Sequence, residues 1–288
     1  MLQGAHTAIV TPFNKDGSVD YARYRELVEF QIENGMDGIV PVGTTGESPT
    51  LNNEEHMKVI EETVRTVHGR VKVIAGTGAN STAEAVELTR RAKEFGVDAT
   101  LQVTPYYNKP NQEGLYRHFS TVAEIGLPVV LYNVPGRVAR EISIETVARL
   151  AKNPNVVALK EAGGKVERVK QVLDVCDLEV LSGDDGLTWL MMRDGAVGLI
   201  SVASNIIPDV VASLVHAALR EQWEDSRRLH EKYSSLFDAL FIDTNPIPVK
   251  AALAMMGKIE EVYRLPLCEM SAVDKAELQN VMTSLNLI

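Results

Sequence analysis

The stretch P-V-V-L-Y-N-V-P-G-R (128–137) decides the fold. Val129, Val130, Leu131 and Tyr132 are apolar at consecutive positions, so both faces of an extended segment must be buried, and the turn residues that follow end it. A strand buried on both faces belongs to a parallel sheet covered by helices. The same pattern recurs towards the N-terminus at Ala5–Val10, Gly38–Val42, Lys72–Ala75 and Ala99–Val103. Towards the C-terminus it recurs at Val156–Lys160, Glu179–Leu181 and Ala196–Val202. The starts lie 17 to 34 residues apart, the size of a βα unit. Eight such units predict a closed (β/α)8 barrel of the TIM type, an α/β fold.

Helical periodicity fills the intervals at Asp20–Asn34, Asn52–His68, Ser81–Phe95, Gln112–Ile125, Ser143–Lys152, Val166–Val175, Leu187–Arg193 and Ile207–Leu219. Several of these begin at Asp, Asn or Ser, whose side chains accept the unpaired N–H groups of a first turn. From Glu224 onward no strand signal remains. About three helices are expected there, split near Asn245-Pro246 and Arg264-Leu265-Pro266. The expected organisation is a catalytic barrel over 1–223 and an all-helical C-terminal domain over 224–288 packed on it.

The 288 residues carry 29 Lys and Arg against 39 Asp and Glu, a formal net charge of −10. That surplus of carboxylates repels a phosphate backbone, and it disfavours anionic membrane surfaces in the same way. The apolar run Gly195–Leu219 is interrupted by Ser204, Asn205, Pro208 and Asp209, so it reads as a buried strand and a helix rather than a membrane span. The N-terminal MLQGAHTAIVTPF has no basic region or long apolar region, which makes a cytoplasmic location the expectation. Cys176 and Cys268 are the only cysteines and are read as free, buried thiols. The six histidines show no metal-ligand spacing, so no metal is expected.

Barrel chemistry sits at the C-terminal strand ends, which here run into T-P-F, G-T-T-G-E-S, G-T-G-A-N, T-P-Y-Y-N, N-V-P-G-R, E-A-G-G, S-G-D-D and A-S-N. The sixth strand ends in Lys160, where desolvation favours a neutral amine able to attack a carbonyl and form a Schiff base. A lysine snorkelling from a strand end is the bland alternative. Tyr132 offers a hydroxyl for proton transfer, or is a core tyrosine. Gly43-Thr44-Thr45-Gly46 can present backbone N–H groups to a carboxylate, or is a plain turn. Arg137 offers a fork for a second carboxylate, or is a surface charge. No basic residue occupies S-G-D-D, where barrels often hold phosphate, so an unphosphorylated keto acid fits.

Two nucleotide motifs fail on context. After Gly76-Thr77-Gly78, Ser81 replaces the third glycine of a dinucleotide fingerprint, and Gly163-Gly164-Lys165 lacks the rest of a P-loop.

The motifs V-G-T-T-G-E-S (42–48), A-G-T-G-A-N (75–80), V-T-P-Y-Y-N-K-P (103–110), L-Y-N-V-P-G-R (131–137), L-K-E-A (159–162), L-S-G-D-D (181–185) and N-P-I-P-V-K (245–250) span nearly the whole chain. Through them the sequence resembles the dihydrodipicolinate synthase (4-hydroxy-tetrahydrodipicolinate synthase) family of pyruvate-dependent class I aldolases and lyases. The resemblance implies a lyase of lysine and diaminopimelate biosynthesis. It implies that pyruvate condenses with Lys160 and that the enamine attacks L-aspartate 4-semialdehyde before cyclisation. It implies a proton relay of Tyr132, Thr44 and Tyr107, the last supplied by a neighbouring subunit. It implies further that Thr44 and Thr45 hold the pyruvate carboxylate, that Arg137 holds the semialdehyde carboxylate, and that Gly183 and Ile200 contribute backbone.

A homotetramer built as a dimer of dimers is implied, with no metal or organic cofactor. In family members inhibited by L-lysine, the effector binds at positions that here read Ser48, Pro49, Asn53, His56, Asn80, Glu84 and Tyr106. Glu84 suits its ammonium, and Asn80 or Tyr106 its carboxylate. The chain departs from the common pattern at Gly163 and Val138, where a hydroxyl residue is usual, and at Pro49 and Asn53. Relatives with the same Schiff base but another acceptor, such as N-acetylneuraminate lyase and 2-keto-3-deoxy sugar acid aldolases, are the nearest alternatives. A non-catalytic keto-acid-binding barrel, with Lys160 in an ion pair, is the remaining one.

Overall fold

A computed structural model describes residues 1–288. Eight strands, β1 (Gly4–Ala8), β2 (Gly38–Val40), β3 (Lys72–Gly76), β4 (Ala99–Val103), β5 (Val129–Asn133), β6 (Val156–Glu161), β7 (Glu179–Ser182) and β8 (Gly198–Ser201), form a closed parallel barrel in sequence order. The helices between them are α1 (Tyr21–Glu33), α2 (Asn53–Val67), α3 (Thr82–Glu94), α4 (Gln112–Ala123), α5 (Pro135–Val138), α6 (Ile144–Leu150), α7 (Arg168–Leu173) and α8 (Thr188–Arg193). After β8 come α9 (Pro208–Leu219), α10 (Trp223–Ala239), α11 (Ile247–Met255) and α12 (Ala272–Ser284). The last three are the helices expected in the tail. Leu236 and Phe237 of α10, Leu253 of α11 and Leu278 of α12 join the same apolar cluster as the barrel's outer face.

The boundaries differ from the expected ones for local reasons. The second strand stops at Val40 because Pro41 has no N–H to donate to the ladder, and Val42 turns to φ +49°. The helix expected from Val166 starts at Arg168, whose guanidinium is turned into the barrel wall. The short helix α5 inside N-V-P-G-R is an addition. Asp20, Asn52, Asn111 and Ser143 cap their helices through side-chain oxygens, whereas Ser81 makes no such bond. The thiols correct the expectation of burial: Cys176 is half-buried and Cys268 exposed, because each sits in a surface turn between elements. No helix is long and apolar enough to cross a membrane.

Alternation along the strands sorts the side chains into two layers. Ala8, Val40, Ile74, Leu101, Val130, Ala158, Leu181 and Ile200 fill the interior, while Val129, Leu131, Leu159 and Leu199 face the helices. The barrel closes where β1 meets β8, with Gly4 opposite Gly198. A Cβ on Gly198 would stand 2.2 Å from the Gly4 carbonyl oxygen, so the seam admits no side chain there.

Candidate active site

Lys160 shares its parity with Ala158, and therefore projects into the barrel from the C-terminal end of β6. It is 6% exposed and forms neither an ion pair nor a hydrogen bond. Register places Tyr132 of β5 directly beside it, with Nζ 4.3 Å from the ring centroid. The Tyr132 hydroxyl has no protein partner either. Gly183, just past β7, makes room for the amine: a Cβ there would lie 2.9 Å from Lys160 Cε.

The next residue on each strand points outward and fixes this pair from behind. Asn133 donates from Nδ2 to both oxygens of Glu161, at 2.9 and 3.0 Å. Arg168 Nε donates to Glu161 Oε2 at 2.9 Å, and Gly163 N to Oε1 at 2.7 Å. Asn133 Oδ1 accepts from Ile142 N, which tethers the loop that carries Arg137. A buried carboxylate with this many donors is a rigid strut.

After β2, the chain turns so that Gly46 N and Ser48 N both donate to Gly43 O, at 3.1 and 3.3 Å, and Glu47 N donates to Thr44 O at 3.1 Å. The amides of Thr44 and Thr45 donate to nothing in the protein. Two adjacent free N–H groups form a concavity for an anion. Asn245, in the tail, donates from Nδ2 to Thr45 Oγ1 at 2.9 Å and accepts from Arg137 Nη2 on its carbonyl at 3.0 Å. One residue therefore touches both candidate carboxylate cradles.

These groups share one cavity of about 110 Å³, lined by Thr44, Thr45, Tyr132, Arg137, Lys160 and Gly183 among others. Asp184, Phe241 and Asn245 also line it and were missed from sequence. Burial pushes the Asp184 carboxyl above its ordinary range. Its neighbour Asp185 is fully buried and accepts from Ser201 Oγ at 2.5 Å and from Val202 N and Ala203 N at 2.9 and 3.0 Å, tying the β7 loop to β8. Ile200 lies in the apolar layer of β8, and Val202 stands at the cavity wall. Tyr107 is not in the cavity of its own chain. It is 90% exposed, at φ +71°, on the loop after β4.

The expected effector residues sit on the loops and helices after β2, β3 and β4. Asn80 Nδ2 donates to Tyr106 O at 3.2 Å, and burial together with the charge of Glu84 raises the Tyr106 phenol pKa. Asn108 Nδ2 closes the group onto Asn80 O at 2.8 Å. His56 is buried, with Nε2 bonded to Gly76 O at 2.8 Å and Nδ1 3.5 Å from Ser48 Oγ, and burial lowers its pKa. Pro49 and Asn53 are exposed.

The Dihydrodipicolinate synthetase family model matches residues 1–285. The chain belongs to that family. It is 53% identical, over the full length of both chains, to the 4-hydroxy-tetrahydrodipicolinate synthase of Geobacter sulfurreducens. Among solved structures it resembles the 4-hydroxy-tetrahydrodipicolinate synthase of Methylacidiphilum fumariolicum SolV, with a TM-score of 0.98, 47% identity, and 99% and 96% of the two chains covered. It resembles equally the chloride-inhibited dihydrodipicolinate synthase of Acinetobacter baumannii complexed with pyruvate, with a TM-score of 0.98, 47% identity and both chains covered completely. Membership of the dihydrodipicolinate synthetase family accounts for the barrel, its helical tail and the G-T-T-G-E, Y-N-V-P-G-R and L-K-E-A strand ends found together.

Proposed function

We propose that the chain acts as a 4-hydroxy-tetrahydrodipicolinate synthase, condensing pyruvate with L-aspartate 4-semialdehyde through a Schiff base on Lys160. The observation that carries this reading is a buried amine with no counter-ion, facing a tyrosine, in a cavity that also holds two free backbone amides. An ammonium at such a position ordinarily finds a carboxylate, whereas a nucleophilic amine must not be tied up by one.

In this reading the Thr44 and Thr45 amides hold the pyruvate carboxylate and aim its keto carbon at Lys160 Nζ. Attack forms a carbinolamine. The Tyr132 and Thr44 hydroxyls pass the proton that lets water leave, which gives the imine. Loss of a methyl proton gives the enamine, whose carbon attacks the aldehyde. Arg137 receives the semialdehyde carboxylate at the mouth, and Gly183 and Ile200 supply backbone to the pocket. Cyclisation then releases the product and the lysine. Every step uses side chains and substrate, and needs no metal or organic cofactor.

Tyr107 completes the relay of a neighbouring subunit, and its exposure on its own chain supports a shared site. The assembly is a dimer of dimers with L-lysine as effector at the Asn80, Glu84 and Tyr106 group, in a cytoplasmic enzyme of lysine and diaminopimelate biosynthesis.

Borohydride reduction in the presence of pyruvate, followed by peptide mass spectrometry, is the test. A reduced pyruvyl adduct on Lys160 is expected. An unmodified Lys160 in folded protein, beside a labelled control aldolase, would overturn the mechanism. The acceptor is tested separately, by formation of the cyclic product from aspartate semialdehyde.

A further inference from the structure

Two residues of the signature motifs have no part in that chemistry. Glu47 ends G-T-T-G-E and Lys250 ends N-P-I-P-V-K; both side chains are fully buried, and they form an ion pair with each other. Lys250 Nζ also lies over two rings, 4.2 Å from the centroid of Phe13 and 5.3 Å from that of Tyr263. Burial pulls the Lys250 pKa down, against the charge of Glu47.

Glu47 is the corner of the cradle turn. It adopts φ +54°, a left-handed conformation that costs a residue with a Cβ. Its amide closes the turn onto Thr44 O, and its carbonyl accepts from Thr50 N at 2.9 Å and Thr50 Oγ1 at 3.0 Å. The backbone on one side of this corner presents the free amides of Thr44 and Thr45. What holds the corner therefore sets where those amides point.

A buried ion pair is a poor stabiliser compared with an apolar pair of the same volume, but it is directional. We propose that the Glu47–Lys250 pair positions the carboxylate-binding turn, so that Lys250 is a positioning residue through which the helical tail sets the affinity for pyruvate. The proposal rests on the reading of Thr44 and Thr45 as the pyruvate cradle. It extends the active site to α11, and the loop that leads into that helix reaches the same turn a second time through Asn245.

The double variant Glu47→Leu/Lys250→Met replaces the pair by apolar groups of similar size and leaves no unpaired charge. With folding checked by circular dichroism, the pyruvate concentration that half-saturates borohydride trapping should rise about tenfold or more, because a small displacement of a binding group is amplified in a positioned reaction. The KM for the semialdehyde should change less than about twofold, a split that general destabilisation does not produce. Half-saturation within about twofold of the parent, in a folded variant, would overturn the proposal. Should the double variant not fold, Glu47→Asp decides, since it keeps both charges and shortens the tether by one methylene. A clear rise in half-saturation supports the pair's role, and an unchanged value overturns it. Failure of the parent protein to form any adduct would show before a variant is made, and would remove the cradle reading itself.

Discussion

The two ends of the barrel carry their polar groups differently. At the floor, where strands begin, the carboxylates are paired, although His6 Nδ1 is buried without a partner. Asp37 Oδ2 accepts from Ala5 N at 2.8 Å and from His216 Nε2 at 2.7 Å, and Leu2 N donates to Glu179 Oε2 at 2.6 Å. His6 Nε2 is 2.6 Å from Leu2 O, and Asp98 takes Lys72 Nζ at 2.7 Å and Val73 N at 2.9 Å. At the mouth, the Lys160 amine, the Tyr132 hydroxyl and the Thr44 and Thr45 amides are left open. Several open polar groups that share one cavity lower stability together, and their persistence marks a place where a ligand completes the set. Stability is built at the floor and spent at the mouth.

The sharpest way to break this contrast is Lys160→Ala. Activity and the borohydride adduct should both vanish, while the thermal midpoint should not fall below the parent's, because a desolvated amine without a partner has been removed. A large drop in the midpoint would mean that Lys160 is structural. Tyr132→Phe comes next, with kcat expected to fall about 10²- to 10³-fold at unchanged fold, as for the loss of one acid–base group. A loss below threefold would take the hydroxyl out of the relay.

At the floor the expected effects reverse. Asp37→Ala strands the Ala5 amide and the His216 ring, and should cost about 1–2 kcal/mol in denaturant unfolding with kcat intact. A fall in kcat without a stability change would contradict the division.

The histidines add a pH signature. Burial keeps His6 neutral in the folded protein, with its pKa below 6.5, so the unfolded chain binds the proton more readily and stability is lost as the pH falls below that value. The hydrogen bond that His216 donates to Asp37 raises the pKa of His216, so its contribution is complete below pH 6.5 and fades as the pH climbs through the raised value. In His216→Gln, the stability deficit relative to the parent should therefore be greatest below pH 6.5 and shrink on the alkaline side. A deficit that stays constant with pH would show that His216 is not held charged.

Much of this was legible along the chain because parallel strands buried on both faces leave unmistakable apolar runs, and because alternation then dictates which residue points inward. Lys160 and Tyr132 could be assigned to the mouth on that basis alone. Asn245 and Asp184 were not, since nothing local in N-P-I-P-V-K says that the tail folds back over the turn after β2 and α5, and nothing in S-G-D-D says which acid faces the cavity. The Glu47–Lys250 pair escaped for the same reason: it joins residues about two hundred positions apart, beyond any periodicity. Tyr107 presents the opposite case. Its place in the sequence is plain, but its side chain stands exposed and outside the cavity of its own chain.

The seam of glycines at Gly4 and Gly198 has a kinetic consequence. The first strand to leave the ribosome pairs on one side with the last strand made, so at about 5–20 residues per second it waits on the order of ten to forty seconds with an open edge. Barrel closure, with its long-range pairing, is the slow and exposed part of this chain's biogenesis. Crowding that seam with even a methyl group should be felt first as lost yield during synthesis.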